Sequence, residues 1–265
     1  MLNLKAMGVI NLTPDSFSDG QEISSLAKLQ QKLSSFKDVP ILDFGAESTA
    51  PMNDAISASE ELARFEPYLD LILSLDKIIS IDTYHPETIS FFQKEWLKRK
   101  KKNNLVWNDV SGKLDEEVEK FLALGPEFSY VFCHNLAPAR ELSSSHMDYG
   151  VDLSGDAYLD HLITYFKPAI QEKVILDPCL GFSKTYEQNW FILDHFSLLQ
   201  KHLRHPQWLI GFSRKSFLRK KYNLTSAISD RDLLDEKHVE EIQRRYSEWN
   251  DEVWLRTHRP ELLSV

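Results

Sequence analysis

Met7-Gly-Val-Ile-Asn-Leu-Thr-Pro-Asp-Ser-Phe-Ser-Asp-Gly20 decides how the rest of the chain is read. The apolar run from Ala6 to Ile10 stops abruptly at Asn11. A loop of hydroxylic and acidic residues follows, with one proline and no lysine or arginine. A buried strand that delivers a polar side chain to the mouth of a site has this form. Asn11, Thr13, Asp15, Ser16, Ser18 and Asp19 are a dense set of oxygen ligands and hydrogen-bond partners. On its own such a stretch is as well read as a solvated strand-to-helix loop. Recurrence of the same design down the chain favours the site.

Apolar, β-rich runs of this kind fall at 4–11, 39–45, 78–82, 105–108, 128–134, 174–177, 208–212 and 253–258. They are nearly continuous rather than alternating, as strands buried on both faces of a parallel sheet must be. Helical patterns lie between them, at 23–36, 58–73, 86–100, 115–122, 157–171, 187–201 and 231–249. Eight strands with intervening helices, and no linker rich in glycine, proline or serine, predict one α/β domain over 1–265. The expected form is a (β/α)8 TIM barrel; pattern alone leaves a doubly wound open sheet as the alternative.

With 265 residues and 42% hydrophobic content the chain can build a sizeable core. The net charge of −9 argues against broad nucleic-acid binding. The basic run Lys98–Lys102 reads as a solvated helix end. Two cysteines, Cys133 and Cys179, give no disulfide framework. With no apolar run near the ~20 residues that span a bilayer, and no leader-like N-terminus, a cytoplasmic protein is expected.

In a barrel the site lies at the C-terminal strand ends. Those ends deliver Asn11; Asp43 and then Glu47-Ser-Thr49; Asp82; Asn108 and Asp109; Cys133-His134-Asn135; Asp177; Ser213-Arg-Lys-Ser216; and Arg256-Thr-His258. Each alone is as well explained by a helix cap or a turn. Together their carboxylates would repel each other unless donors cover them. Asp82, Asn108 and Asp177 suit a flat heterocycle with guanidine-like N–H groups. Lys215, Arg256 and His258 form a cationic side suited to phosphate or diphosphate.

At these residues the chain resembles the dihydropteroate synthase family of pterin-binding barrels. The anchors run in order: Met7–Gly20, Leu42–Thr49, Ile81–Tyr84, Asn108–Gly112, Ile175–Pro178 with Gly181-Phe182 and Lys184-Thr185, Ser213–Phe217, and Arg256–His258. The resemblance implies that 4-aminobenzoate displaces pyrophosphate from 6-hydroxymethyl-7,8-dihydropterin diphosphate, giving 7,8-dihydropteroate. It implies that Asp82, Asn108, Asp177 and Lys215 hold the pterin, and that Asp82, Lys215 and Arg256 act in catalysis. Asn11, Thr49, Arg256 and His258 would take the diphosphate, with Asn11 a ligand of Mg2+. Phe17, Pro51 and Ser216 would line the aminobenzoate subsite.

Four departures stand out. Ala50 replaces an arginine of the family's second loop, for which Arg64 and Arg140 are candidate substitutes. Cys179 and Ser183 replace glycines, which matters if the backbone there has positive φ. The fifth loop differs, with His134 read as structural and 139–156 as a mobile polar segment. After His258 the sequence offers no full eighth outer helix. A bare outer wall beside strands 8 and 1 is therefore expected, open to a homodimer or another partner. These departures keep three other readings in view: a pterin-binding paralogue with weak or no synthase activity, a barrel of the corrinoid methyl-transfer type, and a subunit of a larger folate complex. The intact first loop argues against the corrinoid type.

Overall fold

The computed structural model describes residues 3–12, 23, 25–47, 55–211, 213–225, 227 and 230–263. Eight parallel strands close in sequence order: β1 (Asn3–Asn11), β2 (Ile41–Gly45), β3 (Ile78–Asp82), β4 (Leu105–Asp109), β5 (Phe128–Cys133), β6 (Val174–Asp177), β7 (Gln207–Ile210) and β8 (Glu252–Thr257). The (β/α)8 barrel is therefore the fold, and the open sheet is excluded. Inward positions carry Met7, Ile41, Val106, Val131, Ile175, Leu209 and Trp254, which fill the barrel as one cluster. Outward positions such as Ile10, Leu42, Ile79, Leu105, Val174 and Leu255 join the larger shell beneath the helices. Period-two alternation between two apolar layers is why these strands read as continuous hydrophobic runs.

Ten α-helices lie among the described residues: α1 (Leu26–Ser35), α2 (Ala58–Phe65), α3 (Leu69–Ser74), α4 (Pro86–Lys98), α5 (Glu116–Ala123), α6 (Gly155–Phe166), α7 (Tyr186–Asp194), α8 (Phe196–Leu203), α9 (Ser216–Tyr222) and α10 (Arg231–Arg245). Two spans expected as single helices are broken. Pro67 sits in a 3-10 turn between α2 and α3, because it has no N–H to continue the ladder. A bend at His195 separates α7 from α8. It accompanies the packing of Phe196 edge-on against Trp208 and Trp249, at 5.2 and 5.0 Å between centroids. The basic run closes α4 as expected. Arg99 pairs with Asp70 at 2.6 Å, and Lys101 donates to the Leu75 carbonyl at 2.8 Å.

Two expectations are corrected. The segment read as mobile is tied down: a 3-10 stretch spans Arg140–Asp148, and Arg140 pairs with Asp109 and Asp115. The outer wall beside β8 and β1 is not bare. After β8 the described chain makes only the 3-10 turn Pro260–Leu262, yet Ala6, Ile10, Val253 and Leu255 are all buried. The closure is tight at Gly8, where a Cβ would meet Phe36 at 2.7 Å and Pro260 at 3.4 Å. Phe36, at the end of α1, and Pro260 thus lie over the seam at Gly8.

Candidate active site

Asp43 is the hub of one side of the mouth. It is wholly buried, though the sequence marks it only as a strand-end residue. Ser80 of β3 donates to its Oδ1 at 2.6 Å. Asn108 of β4 donates to both its oxygens, at 3.2 and 3.3 Å. Arg256 of β8 donates through Nε to Oδ2 at 2.6 Å, and through Nη2 to Asp82. Four strands thus deliver one continuous network. Burial opposes the charge on Arg256, but Asp43 and Asp82 outweigh it and raise its pKa. Burial pushes the Asp82 carboxyl up to about 7, with Arg256 pulling the other way and Asp43 adding to the rise. At the same level Gly45 and Gly211 project nothing inward. A Cβ at Gly45 would lie 3.5 Å from the Asp82 Cβ, and one at Gly211 3.5 Å from that of Arg256. The two glycines keep space open beside the charged cluster.

The β5–β6 side is built differently. Asp177 is buried, accepts from Cys179 N at 2.7 Å, and lies 3.6 Å from Cys133 Sγ. Burial raises its carboxyl to about 6, opposed by the Cys179 N–H and by Lys184 and Lys215. Beyond it the chain turns through Cys179 (φ 54), Gly181 (φ 85) and Ser183 (φ 51). The replaced glycines therefore do occupy left-handed backbone, at a cost of about 1 kcal/mol each. Ser183 offsets its share: its hydroxyl donates to His146 O at 2.9 Å and accepts from Leu136 N at 3.1 Å, joining the fifth and sixth loops. The buried Lys184 ammonium donates to the carbonyls of His134, Cys179 and Phe182, at 3.0, 3.1 and 2.7 Å. Burial brings its pKa down to about 8. His134 is buried, with Nε2 3.1 Å from His161 Nε2, and burial holds it well below the ordinary histidine value. It packs against His161, Tyr165 and Phe166 of α6.

The cationic side comes from β7 and β8. Lys215 Nζ lies 4.5 Å from the centroid of the Phe182 ring, a cation–π contact. Burial lowers its pKa, and its charge pulls down the carboxyls of both Asp82 and Asp177. Ser213 Oγ is 3.1 Å from His258 Nδ1. Burial, then Arg214 and Arg256, push His258 well below its usual value. Asp235 of α10, fully buried, receives Arg214 through Nε at 3.2 Å and Nη2 at 3.0 Å, and lies 3.4 Å from Ser213 Oγ. Nothing in the charged sequence of α10 singles Asp235 out.

Asp82, Asn108, Asp177, Lys215 and Arg256 therefore meet at one mouth, while His258 lies against Ser213 on the side of Arg214 and Arg256. Asn11 ends β1 opposite Gly45, with its side chain half-buried. Ser216 is exposed at the start of α9, next to Lys215. Phe17, Thr49, Ala50 and Pro51 lie outside the described residues. Of the two candidate replacement arginines, Arg140 is committed to Asp109, Asp115 and Ser111. Arg64 donates to the Ala46 carbonyl at 2.8 Å, at the root of the second loop. The same root is fixed by Glu47, which accepts from Tyr84 at 2.7 Å and lies 3.4 Å from His85.

A closed (β/α)8 barrel with carboxylates, an amide and cations converging at its C-terminal mouth is an enzyme-type barrel. The chain belongs to the pterin-binding enzyme family, whose pattern matches residues 7–239. It is 35% identical over 244 residues to a mitochondrial folate synthesis bifunctional protein of Pisum sativum, covering 85% of this chain but only 46% of that one. It is 35% identical over 223 residues to the dihydropteroate synthase of Synechocystis, covering 81% of this chain and 73% of that one. Among solved structures, the dihydropteroate synthase of Clostridium difficile in the presence of pteroic acid matches with a TM-score of 0.69 and 28% identity, over 97% of this chain and 91% of that one. The chain thus spans about half the length of the pea protein and about three quarters of the Synechocystis one. Among the described residues no helix is long and apolar enough to cross a membrane.

Proposed function

We propose that this protein is a dihydropteroate synthase: 4-aminobenzoate displaces pyrophosphate from 6-hydroxymethyl-7,8-dihydropterin diphosphate. The observation that carries the reading is the convergence of Asp82, Asp177 and Asn108 with Lys215 and Arg256 at one mouth. A pterin presents guanidine-like N–H groups to the carboxylates. Asn108 spends its N–H on Asp43, which leaves its carboxamide oxygen to the ring. Arg256 and His258 take the diphosphate, with Thr49. Phe17, Pro51 and Ser216 line the amine subsite. The pteroic acid of the Clostridium difficile structure joins the same two chemical halves. One barrel carries both subsites, in a cytoplasmic setting.

Asn11 is the residue this reading gives to Mg2+. Asn11 ends its strand on the inward face, and its amide oxygen is a hard ligand. When bound, the ion neutralises charge growing on the leaving pyrophosphate. The protein's own groups do the rest. The C–O bond breaks first and its electron pair leaves with pyrophosphate, held by Arg256. The pterin-methyl cation that remains is stabilised by Asp82 and its neighbouring carboxylates. The neutral amine nitrogen then bonds to that carbon and loses a proton to solvent. No strong base is required, but water must be kept out.

The test is purified protein with the pterin diphosphate, Mg2+ and 4-aminobenzoate, measuring pyrophosphate and dihydropteroate together. Equal release of both is expected. Tight pterin binding with neither product would make the chain a pterin binder. Pyrophosphate without dihydropteroate would put the defect at the amine subsite, where Ala50 stands.

A further inference from the structure

The only two cysteines of the chain meet at the floor of the mouth. Cys133 ends β5, and Cys179 follows β6 two residues after Asp177. All three are buried. The two sulfurs and a carboxylate oxygen of Asp177 lie within 4.8 Å of one another, the one such convergence among the described residues. Asp177 Oδ1 is engaged by Cys179 N at 2.7 Å, and Oδ2 lies 3.6 Å from Cys133 Sγ. A tetrahedral ion with bonds of ~2.3 Å to sulfur and ~2.0 Å to oxygen holds its ligand atoms roughly 3.5–4 Å apart. Small side-chain shifts therefore close the set.

We propose that Cys133, Cys179 and Asp177 bind a soft divalent cation of the zinc class, with a fourth position left to water or another small donor. Thiolate ligands select such an ion over Mg2+, which prefers oxygen. Each thiol releases its proton to solvent as its sulfur–metal bond forms; no electron is transferred. Two thiolates and a carboxylate exceed the charge of a divalent ion, and the ammonium groups of Lys184 and Lys215 are close enough to offset the excess. If Asp177 holds the pterin, a consequence that rests on the function proposed above, the ion and the ring compete for it.

The full chain, reduced and freed of metal, is titrated with Cd2+ while the thiolate-to-metal charge-transfer band in the near ultraviolet is read. One ion per chain is expected, displaced by Zn2+ and unaffected by Mg2+. Cys179→Gly suits the left-handed backbone and should weaken binding at least about tenfold; Cys133→Ser should do the same, with circular dichroism checking the fold of both. Absence of the band in the wild type, or an unchanged titration in either folded variant, overturns the site. The readout needs no turnover. A failed titration leaves the synthase reading standing, and an inactive but Cd2+-binding chain leaves this one.

Discussion

The two halves of the mouth reach the same end by opposite means. On the β2–β3–β4–β8 side, side chains on regular strands meet one another: Asp43 gathers Ser80, Asn108 and Arg256, and Arg256 reaches on to Asp82. On the β5–β6 side the backbone leaves regular geometry, through three residues at positive φ. One ammonium, that of Lys184, holds three carbonyls there. The first half is stabilised by paired charge and should fail when a charge is removed. The second is stabilised by a pinned backbone and should fail when the pin is removed.

The largest effect is expected from Arg256→Met. It strands the wholly buried Asp43 carboxylate, at about 3 kcal/mol of stability, and lowers turnover at least about 100-fold. Urea unfolding and pyrophosphate release check both. Asp82→Asn, which leaves the Asp43–Arg256 pair in place, should lower turnover ~100-fold while calorimetry still detects pterin binding. Near-normal turnover would remove the electrostatic role of Asp82. Lys184→Met should cost about 2 kcal/mol through carbonyls left without a donor. Its mark should be weaker pterin affinity in equilibrium binding, because the loop carrying Asp177 loosens.

Asp177 gives a pH signature. Its folded pKa of about 6 lies above the ordinary aspartate value, so the folded state favours the protonated acid. Its contribution to stability is fully present below about pH 4 and is lost as pH rises through about 6. Pterin affinity moves the other way, strengthening through the same interval as the carboxylate ionises. Asp177→Asn should remove the part of both curves centred near pH 6 and leave the part near 7 that belongs to Asp82, read by thermal unfolding and equilibrium binding. The smallest effect separates the two strained residues. Cys179→Gly should stabilise by about 1 kcal/mol, whereas Ser183→Gly should gain nothing, since it also loses the bonds to His146 and Leu136.

The first half was far more legible in the sequence than the second. Asn11, Asp82, Asn108 and Arg256 sit where an apolar run ends, and strand periodicity alone points them inward. Asp43 was visible in Leu-Asp-Phe-Gly, but its role depends on partners 37, 65 and 213 residues away. Lys184 stood out only as part of the Lys184-Thr185 anchor, with nothing to mark its burial, and Asp235 gave no signal, because a lysine in a loop and an aspartate in a charged helix usually face water. Pro67 was a readable break between α2 and α3. The bend at His195 was not, since no glycine or proline marks it. The short α9 was hidden within a run of basic residues. The cover of the wall beside β8 was not legible, because one ring lying over Gly8 leaves no periodicity in the sequence.

The seam between β1 and β8 has a consequence for how the chain folds. Asn3–Gly8 align with Glu252–Thr257, and Lys5 meets Glu252 at 2.7 Å across 247 residues of sequence. Bringing such distant segments together carries the largest loop-closure entropy in the barrel. On a ribosome, β1 through β7 emerge before the strand that completes the circle. Until β8 arrives, two strand edges stay unpaired and open to pairing with other chains. Arg256 arrives with that same strand, so the buried carboxylate of Asp43 waits for its counterion until the ring is shut. Mutations that weaken the seam should therefore show first as aggregation during synthesis, before any change in the catalysis of chains that do fold.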